Sequence, residues 1–240
     1  MLTVRDLHVE VAGREILKGI DIEIREGETC ILFGPNGGGK TSLLLALMGF
    51  SNYQVTKGEI VFKGEVINDL PINERAKRGI GISMQRPPVV RGVKTRQMVE
   101  IASDGQADAK ELAHQLDLIE FLDRDINLGF SGGEIKRSEL LQLLAQSPDL
   151  VLLDEPESGV DLENIALVGK VINKLLEKYL HRKRKKAGLI ITHTGHILDY
   201  LEADKGYVLF DGQIGCQGNP REILEDIRRR GYEACTICRR

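Results

Sequence analysis

The 240-residue chain predicts an α/β domain on a mainly parallel core sheet, with an antiparallel β part at its N-terminus and a helical subdomain inserted in its middle. Three observations carry this prediction. Apolar runs without alternation recur at 29–33, 150–153 and 189–192, the pattern of strands covered on both faces. Helical periodicity lies between such runs, as parallel strands require of their connections. From about residue 86 to 147 the strand signal gives way to helical spacing, with apolar residues at Leu112, Leu116 and Ile119 and again at Leu140, Leu141 and Leu144.

In order, 3–11 and 17–24 alternate as strands, with Ile20, Ile22 and Ile24 set against Asp21 and Glu23. Ala12-Gly13-Arg14-Glu15 is the turn between them. The run 29–33 leads into a glycine-rich loop, and 41–48 is a helix apolar enough to be buried. Short strands are expected at 59–62, 80–83 and 208–210, and a long helix at 162–180. The reading is one domain over 1–240: a core from 1–85 and 148–240, and a helical subdomain over 86–147.

Composition narrows the function classes. A net charge of −3 argues against binding nucleic acid through bulk charge. No window approaches the roughly 20 apolar residues of a membrane span, and 1–10 does not read as a signal peptide, so a cytoplasmic protein without direct membrane insertion is expected. Four cysteines make no disulfide framework. Cys30 and Cys216 read as structural. Cys235 and Cys238 are either an incidental reduced pair or half of a metal site completed elsewhere. The basic run 181–186 is a solvated helix end or an RNA or anionic-surface contact.

The loop Gly34-Pro35-Asn36-Gly37-Gly38-Gly39-Lys40-Thr41 fits G-x-x-x-x-G-K-[ST] at every fixed position and sits between a buried strand and a helix. Glycines let backbone N–H groups turn inward around phosphate oxygens, and the helix start adds its positive end. Lys40 then reaches the β- and γ-phosphates, the Thr41 hydroxyl holds Mg²⁺, and Ser42 adds a phosphate contact. The strand 150–153 ends in Asp154-Glu155: Asp154 suits the Mg²⁺ shell, and Glu155 is placed to orient or deprotonate an attacking water.

Phe130-Ser131-Gly132-Gly133-Glu134, between this loop and the Asp-Glu strand, resembles the signature motif of ATP-binding-cassette ATPases. Gln85 matches their Q-loop, Ser158-Gly159-Val160-Asp161 their D-loop, and His193 their switch histidine. The resemblance spans essentially the whole chain. It implies the P-loop cassette fold, an ATP-dependent head-to-tail homodimer, and Ser131, Gly132, Gly133 and Asp161 reaching nucleotide held by a second copy. It also implies His193 at the γ-phosphate, and Gln85 at the Mg²⁺ and linked to the helical insertion.

The segment 129–142, together with Gln85-Arg86-Pro87-Pro88-Val89, Gly92-Val93, Thr192-His193 and Gly231-Tyr232, is similar to the SufC family of iron–sulfur cluster assembly ATPases. So is Val11, at the place where transporter cassettes stack an aromatic on adenine. Pro156 departs toward the transporter pattern. The resemblance implies a SufB-like scaffold partner, with a SufD-like one besides, docked on the helical insertion and 86–97. It further implies a resting pair between Lys136 and Glu155. The alternative is the energy subunit of a membrane transporter. A translation or repair cassette fits poorly with one cassette and no sustained heptads.

Overall fold

The computed structural model describes residues 1–232, and at 162–163 and 181–183 the backbone alone. Cys235 and Cys238 lie outside the described residues. β1 (Leu2–Val11) and β2 (Arg14–Ile24) pair antiparallel and bury Leu2, Val4, Leu7 and Val9 with Ile20, Ile22 and Ile24. The three-residue step from Val4 to Leu7 breaks the strand period. A bulge absorbs it, with Asp6 at φ 43° and its N–H donating to Asp21 Oδ1 at 2.9 Å. β3 (Thr29–Phe33) runs through the glycine loop into α1 (Lys40–Met48). β4 (Gln54–Phe62) and β5 (Glu65–Val66) complete an antiparallel sheet in the order β2-β1-β4-β5. α2 (Ile72–Lys77) and β6 (Ile80–Ser83) follow.

The middle of the chain holds α3 (Thr95–Ala102), α4 (Ala109–His114) and α5 (Gly132–Gln146), but it is not wholly helical as predicted. β7 (Val90–Lys94) pairs with β8 (Asp125–Ile126). Asp125 holds this pair, accepting from the Gly92 N–H at 3.0 Å and from Lys94 Nζ at 2.7 Å. Such polar pairing leaves no apolar alternation to detect.

β9 (Leu150–Asp154) precedes α6, which spans Leu162–Leu175 rather than reaching 180. Glu177 turns to φ 52° and the chain continues as a 3-10 turn over Lys178–Lys183. The buried Lys178 ammonium, donating to Asp204 Oδ2 at 2.9 Å, draws the chain back toward β10 (Ala187–Ile191). The basic run is therefore not a solvated helix end where it is described. Arg184 lies 3.7 Å from Asp204, the Lys185 carbonyl accepts the Gly27 N–H at 3.3 Å, and Lys186 donates to Ser147 Oγ at 2.6 Å. β11 (Lys205–Phe210), β12 (Gln213–Gly218) and α7 (Pro220–Arg230) complete the described chain. The sequence reading missed β12 and α7, although Asn219-Pro220 is a legible helix start: Asn219 Oδ1 accepts the Arg221 N–H at 2.9 Å.

The central sheet runs β12-β11-β3-β10-β9-β6, parallel apart from the edge strand β12. Its strands divide by parity. Ile31, Phe33, Val151, Leu153 and Ile190 face α5, α6 and α7. Cys30, Leu32, Leu150, Leu152 and Leu189 face α1 and the antiparallel sheet. Two buried faces explain why these strands read as continuous apolar runs. Among the described residues no helix is long and apolar enough to cross a membrane.

A buried arginine ties α2 to the far end of α1. Arg75 is 2% exposed and donates to four backbone carbonyls, Leu70 at 2.8 Å, Asn68 at 2.7 Å, and Ala46 and Leu47 in the last turn of α1 at 2.9 and 2.8 Å. Gly49 permits the approach, because a Cβ there would stand 2.7 Å from Arg75 Nε. Desolvation lowers the guanidinium pKa to about 10, so the group stays charged against the negative helix end. Arg75→Ala leaves these carbonyls without partners and is expected to cost on the order of 3 kcal/mol, read from urea unfolding.

Candidate active site

The glycine loop joins the C-terminal end of β3 to the N-terminus of α1, at the edge from which the parallel strands point. Its shape is set by backbone that only glycine takes easily, with φ 155° at Gly34, 76° at Gly37 and 102° at Gly39. A Cβ at Gly34 would collide with the Leu209 carbonyl oxygen, and one at Gly39 would stand 2.9 Å from Leu17. The Gly38 N–H donates to the Pro35 carbonyl at 3.2 Å, and the Gly212 N–H, from the β11–β12 turn, donates to the Gly38 carbonyl at 3.3 Å. That second support comes from sequence-distant Asp211-Gly212, whose turn signature was legible but not connected to the loop.

Lys40 is 5% exposed, and its ammonium donates to the Gly34 and Pro35 carbonyls, each at 2.8 Å. Desolvation pushes its pKa down to about 8 against the opposing pull of Glu155 and Asp154. Thr41 Oγ1 donates to Asp154 Oδ2 at 2.8 Å, linking α1 to the end of β9. Asp154 Oδ1 is buried with no hydrogen-bond partner, and burial raises the carboxyl pKa. A hydroxyl beside a carboxylate with a spare oxygen is the donor set a hard cation such as Mg²⁺ takes.

Glu155 occupies left-handed backbone, φ 50°, with its N–H donating to the Ile191 carbonyl at 3.1 Å. Both its carboxylate oxygens are engaged. His193 Nε2–H donates to Oε1 at 2.7 Å, in the tautomer this contact requires, and Gln85 Nε2 donates to Oε2 at 2.8 Å. Desolvation first, then Lys40, lowers the His193 pKa, so the imidazole is neutral near pH 7. Asn36, Gly37, Gly39, Lys40, Thr41, Ser42, Gln85, Glu155 and His193 line one cavity of about 500 Å³. Ile16 completes its wall. Val11 stands outside that lining, paired with Arg14 at the end of β1.

The expected Lys136–Glu155 pair is absent. Lys136 is buried elsewhere, donating to the Met84 carbonyl at 2.7 Å and the Asp154 carbonyl at 3.3 Å, with Glu139 Oε2 3.7 Å away. Glu139 accepts from Ser83 Oγ at 2.8 Å and the Met84 N–H at 2.9 Å. This i, i+3 pair on α5 grips the two residues ahead of Gln85, so Lys136 has its carboxylate partner one turn along its own helix.

Ser131, Gly132 and Gly133 do not reach the cavity. Ser131 caps α5, donating its N–H to Glu134 Oε2 at 2.7 Å while its Oγ accepts the Glu134 N–H at 3.4 Å. A Cβ on Gly132 would stand 2.9 Å from the Gly159 carbonyl oxygen. Asp161 caps α6, accepting the Asn164 N–H at 2.9 Å, and Asn164 holds its carboxyl below the usual range. This exposed cluster faces away from the chain's own phosphate loop lining.

Replacing Thr41 by Val keeps the side-chain shape and removes the hydroxyl. The gain in ATP affinity that Mg²⁺ confers, measured by nucleotide titration with the cation and with chelator, is expected to fall by about tenfold or more.

The chain matches the ABC transporter family over residues 17–158. It is 36% identical to vegetative protein 296 of Bacillus subtilis strain 168, over 97% of this chain and 92% of that protein. It is 34% identical to the probable ATP-dependent transporter SufC of Escherichia coli K12, over 97% of each. Among solved structures it is similar to MJ1267, an ATP-binding cassette of an ABC transporter, with a TM-score of 0.79 at 23% identity over 99% and 98% of the two chains. That last likeness speaks for the fold.

Proposed function

Because this chain belongs to the ABC transporter family, and is an ATPase of that type, we propose that it works in the cytoplasm on a SufB-like scaffold, with a SufD-like partner, in iron–sulfur cluster assembly. The observation that carries the hydrolytic reading is Glu155, held at both oxygens by His193 and Gln85 at the mouth of the phosphate loop. What supports the scaffold reading is the SufC-like stretch 129–142 together with identity to a SufC over nearly the whole chain.

The chemistry follows from the groups present. Backbone amides of 36–41 and the Lys40 ammonium take the β- and γ-phosphates, Lys40 exchanging the Gly34 and Pro35 carbonyls for phosphate oxygens. Thr41 and Asp154, with Gln85, hold Mg²⁺, which when bound neutralises charge on the β- and γ-phosphates. Glu155 accepts the proton of the attacking water on a carboxylate oxygen. Gln85 and His193 fix the angle of that carboxylate, and the neutral imidazole keeps a donor for the γ-phosphate. Ser131, Gly132, Gly133 and Asp161 complete the site of a second, head-to-tail copy, which accounts for their distance from their own cavity.

The partner docks at the Q-loop side of the helical part. Pro87, Pro88, Val90, Met98 and Leu143 line a cavity of about 290 Å³ there, beside the exposed Val89. Its wall includes Glu139, whose carboxylate grips Ser83 and Met84 just before Gln85, so a docked segment acts on the catalytic carboxylate through two residues.

Glu155→Gln is expected to retain ATP, to hydrolyse it about 10²–10⁴-fold more slowly, and to double in solution mass when ATP is added. Light scattering with and without nucleotide reads the dimer. Capture of partners on that trapped variant separates the two family roles: a scaffold protein similar to SufB is the expected companion, and a polytopic membrane permease would replace the scaffold reading with the transporter one.

A further inference from the structure

Glu157 has no part in the site described above, yet it is 7% exposed. Its Oε1 accepts hydrogen bonds from Thr192 Oγ1 and, at 3.3 Å, from Thr194 Oγ1. These threonines stand on either side of His193. Each hydroxyl also closes its own turn, Thr192 Oγ1 accepting the Gly195 N–H at 2.9 Å and Thr194 Oγ1 the His196 N–H at 3.3 Å. A hydroxyl has one hydrogen to give, and in both residues it is given to the same carboxylate oxygen. Oε2 is buried without a partner, so the fold retains an acid here at a cost in desolvation.

The backbone fixes Glu157 relative to Glu155. The Ser158 N–H donates to the Glu155 carbonyl at 3.0 Å and the Val160 N–H to the Glu157 carbonyl at 3.2 Å, a run of tight turns leaving the end of β9. On the opposite side of His193 lies a cavity of about 310 Å³, bordered by Glu155, Glu157, Gly159 and His196. The imidazole therefore lacks close packing on that side, and polar ties must set its angle.

We propose that Glu157 is a positioning residue for hydrolysis: its carboxylate clamps the turn through Thr192 and Thr194, and so holds His193 against Glu155. The same clamp joins residues 158–161, which face a second copy, to the histidine at the γ-phosphate. This rests on the ATPase reading of Glu155 and His193.

Single-turnover ATP hydrolysis by the full chain tests it. Glu157→Ala is expected to lower kcat about tenfold while KM for ATP stays within about twofold. Glu157→Gln keeps an acceptor oxygen and recovers most of the loss. Thr194→Val, which removes one exposed hydroxyl, lowers kcat about threefold. Because Glu157 acts through the imidazole, Glu157→Ala adds no further loss to His193→Ala. An unchanged kcat in folded Glu157→Ala, a loss confined to KM, or a full additional loss in the double variant overturns the proposal. If Glu157→Ala does not fold, Thr194→Val decides, and a wild-type kcat there overturns it. A parent chain without ATPase, or His193→Ala at the parent rate, overturns the reading of the site itself.

Discussion

Lys40 is an ammonium buried at the positive end of α1, where both desolvation and the helix dipole oppose it. Two carbonyl oxygens, of Gly34 and Pro35, keep it solvated. The rest of the site depends on that arrangement. The carbonyls converge because Gly34 adopts backbone that admits no Cβ beside Leu209, and because Gly212 supports Gly38 from the neighbouring turn. At the opposite end of α1, Arg75 meets the carbonyls that the helix leaves unpaired. One short helix thus carries a cation at each end. The one at its C-terminus is favourable and stabilises the fold. The one at its N-terminus is unfavourable until an anion arrives, which turns stored electrostatic cost into affinity for phosphate.

Much of this was legible in the sequence, and the reasons are specific. The phosphate loop and the Asp154-Glu155 strand end could be read because local chemistry forces them: glycines at special φ, and an apolar run that must end at the sheet edge. The central strands could be read because burial on two faces removes alternation. Gln85 and His193 could be placed only through family resemblance, since nothing local distinguishes a polar residue after a strand. The pairing of β7 with β8 rests on Asp125, Gly92 and Lys94 rather than on apolar pattern. The helix expected to reach 180 ends early because Lys178 finds Asp204, 26 positions on, and no local signal encodes that contact. The partner expected for Lys136 was equally a tertiary question, settled by Glu139 one turn along the same helix.

The catalytic carboxylate is held from several directions by elements that belong to different parts of the chain. Gln85 reaches it from the end of β6, His193 from the end of β10, and the Asp154 carbonyl beside it receives Lys136 from α5. Glu155 itself sits in left-handed backbone, a conformation on the order of 1 kcal/mol above the usual regions for a non-glycine residue. A carboxylate so placed is sensitive to small displacements of α5 or of the Met84–Gln85 segment. That sensitivity is what a motor subunit needs, because its hydrolysis should respond to what is docked on the helical part.

The strand order also dictates when in its synthesis the chain acquires this site. β3, which carries the phosphate loop, lies between β10 and β11. Its hydrogen-bonding neighbours on both sides therefore come from residues 187–210, although the loop itself is complete by residue 41. A ribosome that has emitted three quarters of the polypeptide has exposed every phosphate-binding residue and neither of the strands that hold them in place. Nucleotide can engage only a nearly finished chain, so ATP stabilises the end of biogenesis rather than its beginning, and a truncated translation product is left without the ligand that would protect it.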